Sequence, residues 1–488
     1  MRLILCFLTF ILSVAAAAAR EAAFAGKFYP AEKKELAAFV DSALAAAGEP
    51  KLPGRVRAVI APHAGYPYSG AVAAFAYKAI GEDYDLAVIL GAGHTMPVKG
   101  AALLAKGYYE TPLGRVPVDG KLAAELLKAS PLFRDLPAAQ AGEHSIEVQL
   151  PFLQRRLKKP FKILPVVLNG ASPADLEAIG RLLAKKIKGR KAILVASTDL
   201  SHYPDHATAR LADGTLIKAL TALDPGYFLL TARVLSARGA PGLATCACGE
   251  DAVAAVMAAV NEGGPARFVE LKYADSYDQA PALGGPERVV GYLAGAFVSA
   301  EKPAVPALQL SREEKAVLLR EARTRIEERL SGKEPDQAPF SEDLSFNLPA
   351  AAFVTLTEKG ALRGCIGTVE ARLGLLDAVR YGAESAAFHD SRFRPVEKGE
   401  LEKINIEISL LSPLKKVPGA EAVKPRVHGV VVSREGRSGL FLPQVWEQIP
   451  DKQAFLGELC GQKAGLERNC WRDKKTDLYI FTVEAFQE

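Results

Sequence analysis

Five of the chain's seven histidines lie between His63 and His206, and three of them share a setting. His63 follows the nearly continuous apolar, β-rich run 56–61. His94 follows a second such run, 86–90, across the turn Gly91-Ala92-Gly93. Asp199 and His202 follow a third, 192–197. In open α/β sheets, ligands bind in the crevice outside the carboxyl ends of the strands. Three separate strands thus deliver metal-capable side chains to one edge, which chance explains for one histidine and poorly for three. Cys248 adds a softer donor, in ATCACGEDAVAAVM, just ahead of a helix whose first turn carries Glu250 and Asp251. A helix N-terminus favours a thiolate. Alone, Cys248 reads as a small core residue; beside the strand-end histidines it reads as a ligand. A thiolate with imidazoles suits Fe(II), Cu(I) or Zn(II).

His144 opens EHSIEVQLPFLQ with Glu147 one turn later on the same face, as a base, a support for the ligands or an ordinary helix start. His202 and His206 share STDLSHYPDH, where Pro204 argues for a loop and His206 is the dispensable one. No P-loop, GxGxxG or GxSxG occurs, so nucleotide and serine-hydrolase readings have no support.

The elements that position these groups form an alternating pattern. Runs 56–61, 86–90, 161–168 and 192–197 are apolar enough for strands buried on both faces. Helical stretches 71–80, 122–128 and 173–187 lie between them, which predicts a layered α/β domain. The stretch AEKPAVPALQL at 300–310 follows a strand-like run at 289–298, and Ser311 with Glu314 then makes a capping box. The boundary falls there: a metal-binding domain at 20–300, a linker at 301–310 and a smaller α+β domain at 311–488. That second domain opens with a charged helix and places strands at 352–356, 404–411 and 429–433.

A chain of 488 residues exceeds one ordinary core, and 49% hydrophobic with 24% charged residues suits globular domains. The net charge of +5 is spread without a long basic block, which argues against nucleic-acid binding. Arg2, the apolar run 3–14 and the small residues 15–19 make a secretory leader, too short for a comfortable membrane span. Export to the periplasm is expected, with cleavage near Ala19. The alternatives are an uncleaved anchor, the chain's one route to a membrane, or a misassigned start and a cytoplasmic protein. Beyond Cys6 an odd set remains, Cys246, Cys248, Cys365, Cys460 and Cys470, of which the last two could bridge in an oxidising compartment.

Six ordered motifs carry a resemblance: AGKFYP (25–30), APHAGYPYSG (61–70), GAGH (91–94), EHSIEVQLPFL (143–153), STDLSH (197–202) and CGED (248–251). Throughout residues 21–298 the chain resembles the Memo family, whose fold is similar to that of class III extradiol dioxygenases, non-haem iron enzymes. The resemblance implies a metal held by His63, His94 and Cys248, with His144, Asp199 and His202 lining the same pocket, and iron- or copper-dependent redox activity. The turn before His94 departs from the Gly-Pro or Gly-Thr-Ser sequences frequent in the family, though the histidine is kept. A thiolate also replaces the carboxylate that extradiol dioxygenases normally use as third ligand.

ALRGCIGTVE (361–370), AESAAFHDSRFRPV (383–396), INIEISLLSPL (404–414) and GLFLPQV (439–445) make residues 311–486 similar to the AMMECR domain. The fusion suggests the bacterial AmmeMemoRadiSam set, which implies a radical SAM enzyme as functional partner. In RGCIGT, Cys365 beside Arg363 reads as a candidate nucleophile oriented by His389, Asp390 and Arg392, or as a buried thiol in a strand-edge turn. The resulting expectation is a metal-dependent, oxygenase-like redox protein acting on a small molecule or peptide, with the AMMECR domain binding substrate or partner. Its rivals are a non-catalytic peptide or small-ligand binding protein and a periplasmic metal carrier; an open three-ligand site favours catalysis over structure.

Overall fold

A computed structural model of the protein describes residues 19–333 and 340–488. The leader through residue 18, Cys6 included, lies outside the described residues. No helix among the described residues is long and apolar enough to cross a membrane.

The chain forms two compact units. The first comprises residues up to Ala209, Leu220–Leu229 and Ala247–Val305; the second takes Arg210–Ala219, Leu230–Cys246 and everything from Pro306. The sequence reading assigned 210–219 and 230–246 to the first domain. They group with the second through contacts such as Arg238 Nη1 to Asp377 Oδ2, 3.0 Å.

In the first unit an eight-stranded mixed sheet runs in the order Ala266–Asp275, Gly291–Ser299, Val56–Ala61, Ala192–Ser197, Leu86–Ala92, Lys162–Asn169, Val98–Leu103, Phe133–Asp135. The four central strands are parallel, and their neighbours on either side, Gly291–Ser299 and Val98–Leu103, pair with them antiparallel. Every residue of Leu86–Ala92 is buried, as expected of a strand covered on both faces. Because the four central strands are parallel, Ala61, Ser197, Ala92 and Asn169 all end at one edge.

Strand Leu86–Ala92 outlasts its expected end at Leu90 because Gly91 stays in the ladder. A Cβ there would lie 2.4 Å from Ser145 Oγ, so only glycine lets the His144 segment pack against the strand. The helix expected at 71–80 begins at Tyr66, whose N–H donates to Phe28 O at 2.7 Å, an acceptor far away in sequence.

The second unit is β-rich with helices. Strands Ala361–Gly367, Pro349–Glu358, Ile404–Leu411 and Val483–Gln487 lie side by side, all antiparallel. Helices Arg312–Ser331 and Leu375–Phe388 share a core with this sheet. The first of them carries the expected Ser311–Glu314 capping box. A four-stranded sheet with its own core holds the buried Cys460–Cys470 disulfide.

Candidate metal centre

His63 lies two residues past strand Val56–Ala61 and is 1% exposed. Its backbone N–H donates to Asp199 Oδ1 at 2.7 Å, and its Nδ1 lies 2.9 Å from Ser197 Oγ. The Ser197 hydroxyl donates its single hydrogen to Ser145 O (2.7 Å) and accepts from Gln149 Nε2 (2.8 Å). It therefore accepts from His63 Nδ1–H, which leaves the Nε2 lone pair free. That nitrogen faces Cys248 Sγ at 3.0 Å.

His94 is held the same way by a different group. Its backbone N–H donates to Glu143 Oε2 (2.7 Å), and Nδ1 lies 2.9 Å from Oε1. Burial alone would raise the Glu143 carboxyl, but the His94 ring and the N–H groups of Ser145 and His94 hold it at about 2. An ionised carboxylate only accepts, so His94 Nδ1 carries the hydrogen and Nε2 is again free.

Cys248 reaches the same place because Gly249 lets the chain pass against the end of strand Ala192–Ser197. A Cβ at Gly249 would lie 2.5 Å from Ser197 O. Asp199 N–H donates to Cys248 Sγ at 3.4 Å. Ligand-capable atoms of His63, His94 and Cys248 all lie within 4.8 Å of one another. Two imidazole nitrogens with fixed tautomers and one thiol fit a borderline-to-soft divalent or monovalent ion. Three such donors are one short of the four that close a tetrahedral structural site.

His144, Asp199 and His202 border these donors. The His144 ring stacks on His94 at 4.5 Å between centroids and stands edge-on to His63 at 5.2 Å. Burial, then the nearby His94 charge, pushes His144 down to about 4. Asp199 Oδ2 lies 4.0 Å from His63 Nε2, and burial, opposed by the N–H groups of His63 and Ala64, raises its carboxyl to about 7. His202 Nδ1–H donates to Leu200 O at 2.8 Å, so its Nε2 is the accepting nitrogen. Burial lowers His202, and burial with the neighbouring histidines lowers His63 well below its usual range. Lowered in this way, His63, His144 and His202 are neutral near pH 7, the form that binds metal and accepts protons.

Two expectations need correction. Helix Glu250–Glu262 starts two residues after Cys248, and burial, then the Asp199 charge, pushes the thiol up rather than down. Desolvation outweighs the helix dipole, so binding a cation must displace the thiol proton. Glu147, one turn after His144, pairs with the Arg20 guanidinium and accepts from Tyr29 Oη at 2.5 Å. At Cys365, in the second unit, Asp390 accepts from the backbone N–H (2.9 Å) and Arg392 donates to the carbonyl (3.2 Å). The thiol itself receives the Thr355 hydroxyl at 3.3 Å. Of the groups expected to orient the sulfur, Asp390 and Arg392 hold the backbone instead. His206 faces Asp275, Nδ1 to Oδ2 2.6 Å.

The sequence reading missed Glu143, Ser197 and Gln149, the groups that set the histidine tautomers. Glu143 directly precedes His144 and Ser197 ends a strand, but neither position says which way its side chain turns.

Comparison with known proteins extends this picture. The profile of the family described as Memo-like protein matches residues 20–296, and that of AMMECR1 matches residues 319–486. A MEMO1 family protein of Nitrosopumilus maritimus is 34% identical over 291 residues, 57% of this chain and 99% of that protein. One from Aquifex aeolicus is 41% identical over 205 residues, 42% of this chain and 75% of the relative. The crystal structure of uncharacterized protein PH0010 from Pyrococcus horikoshii is 36% identical, covering 35% of this chain and 90% of that one, with a TM-score of 0.33.

Proposed function

This chain belongs to the Memo family and carries an AMMECR1 domain behind its Memo-like one, and on that premise we propose that it is a metal-dependent redox protein. The observation that carries the reading is the convergence of His63, His94 and Cys248 within 4.8 Å, with titratable groups around the open side. Fe(II) and Cu(I) fit the donor set and the redox role, and Zn(II) fits the donors alone. A bound ion supplies a Lewis-acidic, electron-transferring centre with room for a substrate. The chain's own residues do the rest. Neutral His144 and His202 accept and return protons, the latter at Nε2 because Leu200 O holds Nδ1–H. Asp199 fixes the His63 backbone and places a carboxyl beside the ligands. A fold like that of class III extradiol dioxygenases is part of this reading.

The AMMECR1 domain would bind the substrate, a small molecule or peptide, or a partner, and a radical SAM enzyme would act in the same process. The leader and the Cys460–Cys470 disulfide favour export to an oxidising compartment. A radical SAM partner belongs in the reducing cytoplasm, so the two would work from opposite sides of the membrane. Protein purified without air and without added metal, then analysed for metal and for oxygen consumption, tests the central reading. About one iron or copper per chain with metal-dependent oxygen uptake is expected. Metal that transfers readily to chelators without any redox turnover would favour a carrier, and absence of bound metal would sink the proposal.

A further inference from the structure

The metal centre leans on a segment that supplies no ligand. Glu143, which holds the His94 ring and backbone, is itself gripped through its carbonyl by Arg20, Nη2 to O 2.7 Å. The same guanidinium donates from Nε to Gln140 O at 3.0 Å and from Nη1 to the Glu147 carboxylate. Arg20 is 5% exposed and Glu147 0%. Glu147 also accepts from Phe24 N at 2.9 Å and from Tyr29 Oη at 2.5 Å. Phe24 and Phe28 then pack on the His144 ring, centroids 5.5 and 4.7 Å apart. One buried fork therefore ties three residues of the 140–147 turn together, and that turn carries both Glu143 and His144.

We infer that Arg20 is a positioning residue for the metal centre, fixing the Glu143 turn so that His94 presents Nε2 toward His63 and Cys248. The inference rests on the metal-centre reading above. A plain ion pair with Glu147 would need only a positive charge. Arg20 instead places its planar array of donors on the main-chain carbonyls of Gln140, Glu143 and Glu21 and on a carboxylate at once, which an ammonium cannot match. Groups that orient metal ligands from behind typically matter by roughly ten- to hundredfold in metal affinity. Arg20 is also the first residue past the small-residue run 15–19, so leader removal one residue further on would delete the fork.

The test is anaerobic Co(II) titration of full-length apo-protein, read by the d–d bands and the thiolate charge-transfer band, below the melting temperature of each variant. Wild type is compared with Arg20→Lys, Arg20→Met and the double variant Arg20→Met/Glu147→Gln, which leaves no buried charge unpartnered. Arg20→Met and the double variant should both bind Co(II) roughly ten- to hundredfold more weakly, with shifted d–d bands and a retained thiolate band. Arg20→Lys should fall between them and wild type. Wild-type affinity and spectrum in the double variant, even where Arg20→Met alone is impaired, would reduce Arg20 to charge balance and overturn the inference. Failure of wild type to bind Co(II) would instead remove the metal centre, and the inference with it.

Discussion

Replacing Cys248 by serine separates the thiolate's role as ligand from its role in packing. The side chain is nearly isosteric, and Asp199 N–H, 3.4 Å from the sulfur, can donate to a hydroxyl instead. The metal-free fold should therefore lose no more than about 1 kcal/mol, the worth of one ordinary hydrogen bond. Metal binding should fall much further. Loss of orienting groups alone gives roughly ten- to hundredfold, about 1.4 to 2.8 kcal/mol, and loss of a direct soft ligand should reach at least that. Protons provide an independent signature. Burial raises the Cys248 thiol above its ordinary value of 9.0, so between pH 6 and 8 each metal bound must release one thiol proton. The thiol alone should then raise wild-type affinity by about tenfold per pH unit across that window, and Cys248→Ser should lose that share and keep only the shallower slope left by the Asp199 carboxyl. Linkage gives a second sign. The raised thiol stabilises the folded apo-protein below the unfolded value and loses that contribution as pH climbs beyond about 9, in wild type only. Competition titration with a chromogenic chelator across pH measures the first effect. Full metal occupancy with an unchanged pH slope in Cys248→Ser would refute the thiolate ligand and make Asp199 the candidate third donor.

His144→Ala should keep its metal and lose oxygen turnover, because the ring stacks on His94 without holding it; loss of metal in that variant would make His144 a ligand instead. Replacing Cys460 and Cys470 by serine should lower the stability of the second unit by about 2.7 kcal/mol, from the loop entropy of their separation of 10 residues. Urea unfolding read at Trp446, which lies in the same core, checks this, and an unchanged midpoint would contradict it. Mass spectrometry of the periplasmic fraction should find a chain beginning near Arg20; an intact Met1 in cytoplasmic protein would refute export.

The strand-end logic was legible because a strand's direction fixes where its next residues emerge. Once four apolar runs are read as parallel, His63, His94, Asp199 and His202 are placed at one edge by backbone connectivity alone. Side-chain orientation was not legible in the same way. Whether His63 binds through Nε2 depends on the Ser197 hydroxyl, whose hydrogen is taken by Ser145 O and whose remaining lone pair faces Gln149. Those partners lie 48 to 134 residues apart along the chain, and no local pattern encodes them. Charge was misread where burial and local geometry compete. A cysteine ahead of a helix looks like a stabilised thiolate until its desolvation is known.

The same distinction decides how Cys365 should behave. Strand Ala361–Gly367 is the outer strand of its sheet, so its outward N–H and C=O groups need partners from elsewhere. Asp390 and Arg392 supply them at Cys365, and Arg392 also closes on Asp390 through Nε at 2.9 Å and Nη2 at 2.7 Å. The Arg392 guanidinium accordingly holds the Asp390 carboxyl well below the usual carboxylate range. A depressed carboxyl contributes stability above its unfolded value, and that contribution is lost as pH falls toward the folded one. Asp390→Asn should therefore lower stability at neutral pH by about 1–3 kcal/mol, the loss of charged hydrogen bonds to a half-buried N–H and a guanidinium. The difference from wild type should shrink as pH is lowered below 4. Alkylation of Cys365 by iodoacetamide, measured under conditions where both forms stay folded, should proceed at the wild-type rate. Thr355→Val, which removes the hydroxyl at the sulfur, should change that rate. The opposite pattern, a rate that follows Asp390 and ignores Thr355, would return the carboxylate to the role of orienting the thiol and revive Cys365 as a nucleophile.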